Sequence, residues 1–293
     1  MLASIIIRTY NEERYLPRVL EAIRQQELKD LSSETIVVDS GSTDSTRSIA
    51  EAQACNIVHI SRDEFTFGRS LNLGCEAAQG DLLVFISGHC VPTNGHWLQR
   101  LVSPLSQGAV AFAYGRQIGG KASNFSECQV FKKYYPDTSH VPQDGFFCNN
   151  ANAAILRSTW GEFRFDEDLT GLEDMYLAKK LTEAGLQIGY VADATVYHHH
   201  HETWSGVRRR YEREAIALQH IMPEVHITPL DFARYWTRAV FRDSAAAVRD
   251  GRGLKTLYDI SMFRLMQFWG SYRGNHSHRK ISRKRKERYF YPN

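Results

Sequence analysis

At 293 residues with 43% hydrophobic content, the chain can bury a sizeable core, as one elaborated α/β domain or one domain with an appendage, and is too apolar to be largely disordered. Five cysteines (Cys55, Cys75, Cys90, Cys128, Cys148), odd in number, scattered and without a Cys-x-x-Cys pair, indicate neither a disulfide framework nor a thiolate zinc site and predict a reducing, cytoplasmic setting. The formal charge of +3 is uneven: residues 270–293 hold eight Lys/Arg against Glu287 alone, a local +7 that leaves residues 1–269 at −4.

Ser4-Ile5-Ile6-Ile7 is a β-branched run, far shorter than a signal peptide's core and closed by Arg8. After the polar loop from Thr9 to Glu13, Leu16, Val19, Leu20 and Ile23 recur at helical spacing. Thr35 to Val38 reads as a second strand, running into Asp39-Ser40-Gly41-Ser42-Thr43-Asp44, where Gly41 permits a tight turn and Ser42 or Thr43 can cap the helix bearing Ile49 and Ala50. Ile57 to Ile60 is a third strand, and Phe67 to Gly74 leads through Ala77 and Ala78 to a fourth. Leu82-Leu83-Val84-Phe85-Ile86 is apolar without a break and stops at Ser87-Gly88-His89, the profile of a strand buried on both faces with its carboxyl end open to a cleft. Strands alternating with helices over the first hundred residues predict a parallel sheet.

Further on, Ala109 to Tyr114 reads as a strand, Phe125 to Tyr135 as an aromatic-rich helix or loop, and Ala151 to Leu156 as a strand after the polar pair Asn149-Asn150. Glu173-Asp174 opens a helix that ends at Gly185. A strand pair, Gln187–Ala192 and Thr195–Tyr197, leads into four histidines, 198–201, of which His198 and His200 share one side of an extended chain. Three helices are expected at 204–222, 232–248 and 254–272. No segment approaches the roughly 20 apolar residues of a membrane span.

In a parallel sheet the tips at Glu12, Asp39 and Ser87-Gly88-His89 converge on one edge, where ligands of such sheets bind. A carboxylate there can accept from a nucleobase N–H or ribose hydroxyls, and Arg69 and His89 can meet phosphate charge. Each residue alone reads equally as a turn or cap.

The ordered series Ser4-Ile-Ile-Ile-Arg-Thr-Tyr-Asn-Glu-Glu13, Val37-Val-Asp-Ser-Gly-Ser-Thr-Asp44, Arg69-Ser-Leu-Asn-Leu-Gly74 and Ala78-Gln-Gly-Asp81 resembles the nucleotide-sugar half of the family 2 glycosyltransferases. Glu173-Asp174 followed by Val196-Tyr197-His198 resembles their acceptor half, and a looser likeness from Phe65 to Pro92 is to rhamnosyl-transferring members. The resemblance implies an α/β GT-A fold, Rossmann-like, with a mainly parallel central sheet flanked by helices. It also implies inverting transfer of a sugar from a UDP-, dTDP- or GDP-linked donor to a hydroxyl of a saccharide or lipid-linked saccharide, as in surface polysaccharide or glycolipid synthesis. Position by position it assigns Thr9, Tyr10, Glu12 and Asp39 to the nucleoside, Arg69 to the diphosphate, Asp174 as catalytic base, Asn150 and Glu173 to the acceptor, and His198 to a divalent cation (Mn or Mg).

Where that family has Asp-x-Asp, this chain has Ser87-Gly88-His89, so two readings are open. His89 and His198 hold the metal, or a histidinium with Arg69 meets the diphosphate directly. The same substitution is the best argument for a second class of function, a catalytically inactive nucleotide-sugar-binding protein.

The expected division is a catalytic domain over 1–220, with halves 1–108 and 109–220, and a helical C-terminal extension with a basic tail over 221–293. Phe232, Tyr235, Trp236 and Val240, then Leu257, Met262, Leu265, Met266, Phe268 and Trp269, form two apolar stripes in the extension. They either pack on the catalytic domain or sit at lipid headgroups, with the tail on the anionic inner face of the plasma membrane. No nucleic-acid motif accompanies the basic tail, so nucleic acid is not an expected partner.

Overall fold

The structure, a computed structural model, describes residues 1–120, 123–200, 202–277 and 289–290. His201 and the basic run from Arg279 to Arg288 lie outside the described residues.

The chain runs β1 (Leu2–Thr9), α1 (Leu16–Arg24), β2 (Ser32–Asp39), α2 (Thr46–Ala52), β3 (Asn56–His59), α3 (Phe67–Ala77), β4 (Leu82–Ser87), β5 (Cys90–Pro92), α4 (Trp97–Ser106), β6 (Phe112–Gly119), α5 (Phe125–Tyr134), β7 (Asn152–Leu156), α6 (Arg157–Phe163), α7 (Glu173–Glu183), β8 (Ile188–His198), α8 (Trp204–Ile221), α9 (Pro229–Arg249) and α10 (Leu254–Asn275). Contacts divide it into two compact units. The first comprises Met1–Gly120, Tyr134–Asp168 and Glu173–His199, and the second Lys121–Lys133, Leu169–Leu172 and His200–Asn293.

The first unit is built on an eight-stranded sheet in the order β3-β2-β1-β4-β7-β6-β8-β5. Strands β1 to β4 are parallel, as expected of alternating strands and helices. The β-branched and apolar runs are continuous because helices cover both faces. Ile5, Ile7, Val37, Val84 and Ile86 pack with Leu16, Val19, Trp97, Leu98 and Leu101 of α1 and α4. On the other side Ile6 and Val38 press against Gly74 of α3, and Phe85 meets Phe165 edge-on at 5.3 Å.

Strand β7 is antiparallel to both β4 and β6, so its first residue, Asn152, sits opposite Ile86. That reversal brings Asn149-Asn150 to the same edge as the Ser87-Gly88-His89 tip. The expected strand pair at 187–197 is one strand, β8. Its pairing with β6 is interrupted: Val191 lies opposite Gly115 and Val196 opposite Gln117, so the weak strand formers from Ala192 to Thr195 fall at an irregularity between two paired stretches. Its end pairs Cys90 with His198.

The second unit does not begin at residue 221. Helix α8 belongs to it, because Gly270 and Gly274 on α10 let the two backbones close up: a Cβ on Gly270 would lie 2.4 Å from the Arg208 carbonyl oxygen, and one on Gly274 2.3 Å from that of Glu212. The segment 123–133 is tied in by Arg264, which is buried, paired with Asp243 at 2.6 Å and donating to the Ser126 carbonyl at 3.2 Å. The two apolar stripes of α9 and α10 face each other. Phe232 lies against Trp269 and Tyr272, Tyr235 against Phe268, and Trp236 Nε1 donates to the Ser261 carbonyl at 3.4 Å. They make a helix seam, in which these residues of the two stripes lie against each other. Among the described residues, no helix is long and apolar enough to cross a membrane.

Candidate functional site at the carboxyl edge of the sheet

Two loops at the ends of β1 and β2 are knitted together by the polar residues that follow each strand. Asn11, at φ +55°, accepts from the Thr43 amide at 2.8 Å, Glu12 N–H donates to Thr46 Oγ1 at 2.7 Å, and the Ser45 amide donates to Glu13 at 3.0 Å. Asp39 is fully buried: its carboxylate accepts from the amides of Gly41 (3.2 Å) and Ser42 (3.1 Å) and from the Thr9 hydroxyl (3.4 Å), with His59 Nδ1 3.8 Å away. Thr9 and Asp39 thus form one buried pair at the sheet edge. Tyr10 lies beneath the guanidinium of Arg62, 5.2 Å from the ring centre, and its hydroxyl takes a hydrogen bond from the same group. Arg62 and His59 flank these predicted nucleoside residues, although neither stands in a recognisable motif.

The Ser87-Gly88-His89 tip packs directly on this loop. A Cβ on Gly88 would lie 2.9 Å from Glu12 Cγ, so only glycine admits the approach. Glu12 is turned toward the tip, its carboxylate 2.6 Å from His89 Nδ1. His89 Nε2 in turn faces His198 Nε2 at 3.2 Å, and His198 Nδ1 lies 2.6 Å from Gln117 Oε1. The orientation of Gln117 is fixed by its own neighbours. The Ala151 amide donates to Asn149 Oδ1 (3.0 Å), Gln117 Nε2 donates to that same oxygen (3.0 Å), and Gln117 therefore presents its carbonyl to the histidine.

Acceptors on both Nδ1 atoms put both ring protons there and leave two Nε2 lone pairs pointing at each other. Such a pair requires a positive charge between the rings, a shared proton or a cation. Imidazoles that bind metals carry this same outer hydrogen bond, so the residues present fit a divalent cation held by His89 and His198. Cys90 Sγ lies in the same cluster, but burial pushes its thiol well above the usual range.

Asp174, in the first turn of α7, is 6% exposed. Its two oxygens accept the amides of Asn150 and Met175, each at 2.7 Å. Burial, reinforced by the neighbouring Glu173 carboxylate and opposed by these two hydrogen bonds and by Arg8, pushes its pKa up to about 7. Glu173 pairs with Arg8 of β1 at 3.0 Å, and Arg8 also lies over the Phe67 ring. Since Arg8 stands opposite Ser87 in the β1–β4 register and the Ser87 amide donates to the Ala151 carbonyl (3.4 Å), Asp174 is bonded into the edge that carries His89 and Asp39.

The three amide side chains near Asp174 differ in kind. Asn152 is structural, accepting from Trp97 Nε1 at 2.9 Å and donating to the Ala194 and Arg116 carbonyls. Asn149 serves the histidine relay. Asn150 is 3% exposed, and neither its Oδ1 nor its Nδ2 has a hydrogen-bond partner. Arg69 is half-exposed and stands 3.6 and 3.7 Å from the carboxylates of Glu167 and Glu64. Sequence reasoning missed Arg8, Gln117 and Arg62. Gln117 gave no signal of its own, since it follows Arg116 past the apolar stretch of β6.

Residues 4–160 match the family described as Glycosyl transferase family 2. The O-antigen chain rhamnosyltransferase RfbN of Salmonella typhimurium is 30% identical over 223 residues, 72% of this chain and 70% of that protein. WbaN of Salmonella anatum, also named an O-antigen chain rhamnosyltransferase, is 32% identical over 190 residues, 61% of this chain and 60% of the relative. Among solved structures, a mannosyltransferase of Pyrobaculum calidifontis in complex with GDP-Man and Mn2+ superposes with a TM-score of 0.61 at 18% identity, covering 92% of this chain and 84% of that one. That likeness makes the fold GT-A. The family match extends over more than half of the chain, and the chain belongs to glycosyl transferase family 2 as a glycosyltransferase.

Proposed function

We propose that this glycosyltransferase moves a sugar, rhamnosyl first among the candidates, from a nucleoside-diphosphate donor to a hydroxyl of a growing surface saccharide, with inversion at the anomeric carbon. The observation that carries the reading is Asp174, a buried carboxylate held by two backbone amides, with a pKa near 7, bonded to the sheet edge that bears the nucleoside residues. A base poised near working pH is half-ionised there, and takes a proton without being too weak to hold it. In the transfer step the acceptor hydroxyl gives its proton to Asp174 as its oxygen bonds to the anomeric carbon. The bond from that carbon to the diphosphate breaks, and the leaving group departs with the electron pair.

Asn150 offers the acceptor one donor and one acceptor from a side chain otherwise unsatisfied. Thr9, Tyr10 and Asp39 hold the nucleoside, Arg69 faces the diphosphate, and Glu173 keeps the base helix in register through Arg8. His89 and His198 would hold a divalent cation, and Glu12 and Gln117 would orient the two rings. When bound, such an ion offsets the negative charge that builds on the diphosphate. The two O-antigen relatives and the mannosyltransferase complex, whose title names GDP-Man and Mn2+, support this reading without fixing base, sugar or acceptor.

The test is transfer from a panel of dTDP-, UDP- and GDP-sugars to saccharide and lipid-linked saccharide acceptors, followed by NMR of the new anomeric centre. Turnover with one donor and an inverted product is expected. Product with retained configuration, or binding of every donor without transfer, overturns the proposal.

A further inference from the structure

We infer that the outer face of α9 is a docking surface for an anionic phospholipid membrane. The inner side of this helix is spent on the seam with α10 and on the buried Asp243–Arg264 pair, yet the opposite side is also apolar. Leu230 is 76% exposed, Phe241 79% and Val248 62%, and at about 100° per residue the three lie within about 20° of one another around the helix. They form a single ridge about 27 Å long at about 1.5 Å per residue. Past the turn at Gly251, Leu254 (84%) and Tyr258 (61%) add a second exposed apolar pair, one turn apart on α10.

The charge beside the ridge is net positive. Arg234, Arg238 and Arg249 are all exposed along its flank, and Arg252 and Lys255 follow in the turn. The nearby acidic residues do not balance this charge: Asp231 closes the capping box at Thr228 beside Arg234, Asp243 is fully buried on the inner side, and the exposed Asp250 ends the helix next to Arg249.

An apolar ridge with a net cationic flank is what an interfacial helix presents to lipid, with aromatic and aliphatic groups below the headgroups and guanidinium groups on the phosphates. A second copy of the chain fits worse. A two-fold contact through this face would bring together two surfaces of the same net positive charge. The assignment rests on the second unit alone and is independent of the transfer site.

Flotation of the full chain with phosphatidylglycerol–phosphatidylcholine vesicles and with phosphatidylcholine vesicles, at low and high salt, tests it. Binding to the anionic vesicles is expected, weakened by salt and absent on phosphatidylcholine. The double variant Phe241→Glu/Val248→Glu should abolish it. The triple variant Arg234→Gln/Arg238→Gln/Arg249→Gln should weaken it about 100-fold, at about 1 kcal/mol per basic residue near such a surface. All five positions are exposed, so unchanged circular dichroism and melting temperature are expected. Undiminished binding by the glutamate variant, equal binding to both vesicle types, or a concentration-dependent dimer that the glutamate variant dissolves would each overturn the assignment.

Discussion

Replacing Asp174 by Asn keeps the shape of the side chain and removes its charge, and the two properties it disturbs should move in opposite directions. Burial first, and Glu173 second, raise the carboxyl pKa from 3.8 to about 7, so the ionised group weighs against the folded state by about 4 kcal/mol once the pH exceeds 7. Below about pH 4 the carboxyl is protonated in folded and unfolded chains alike and the cost vanishes; it grows as the pH rises from about 4 to about 7, then stays constant. Asparagine never carries it. Against that gain, the new amide can accept only one of the two backbone N–H groups and turns its own NH2 toward the other, at about 1–3 kcal/mol.

The variant should therefore be about 1–3 kcal/mol more stable than its parent at about pH 8, and less stable by the mismatch alone at about pH 4. Transfer should fall by about 10²- to 10⁴-fold, the usual contribution of a positioned base. Urea unfolding at both pH values, with turnover measured beside it, is the assay. A variant equally destabilised at both pH values, or one that transfers sugar at close to the parental rate, would refute the reasoning and leave Asp174 as an ordinary helix cap.

The acid limb of the pH–rate profile should fall near 7, activity being lost as the pH drops below the pKa of Asp174, and Glu173→Gln should move that limb to lower pH by removing the adjacent negative charge. Limbs that coincide in the two proteins would show that another group titrates. Glu12→Gln should weaken Mn2+ binding, read by electron paramagnetic resonance without any substrate, by about 10- to 100-fold, because the ring of His89 loses its carboxylate partner. Equal affinity would detach Glu12 from the histidine pair. Gly270→Leu should lower stability by at least about 1–3 kcal/mol, since its first side-chain carbon already collides with the Arg208 carbonyl; an unchanged unfolding midpoint would mean that α8 and α10 do not pack as described.

The sheet was largely legible because its strands announce themselves chemically. Ile5 to Ile7 and Leu82 to Ile86 are apolar without interruption and stop at polar tips, a pattern that only two-sided burial explains. The C-terminal helices were legible from spacing, and α8, α9 and α10 fall within a few residues of the expected spans. What spacing does not carry is which surfaces meet. The aromatic stripes of α9 and α10 look alike from sequence whether they face lipid or each other, and the ridge of Leu230, Phe241 and Val248 is too sparse to register as a stripe. The division near residue 220 failed for the same reason: two glycines on α10 decide where α8 belongs, and their effect appears only across the helix pair. At the site, motif residues marked the edge, but Arg8 and Gln117 act through partners 165 and 81 positions away.

The peptide units of Asn150 and Ala151 are consecutive, and each is committed. One amide holds the Asp174 carboxylate, and the next holds the Asn149 oxygen that aligns Gln117 and, through it, the His198 ring. Neither plane can swing without dragging the other. A residue one methylene longer at position 149, or one with no acceptor oxygen, would thus misalign an imidazole and a carboxylate at once, which makes this short stretch an unforgiving one to alter.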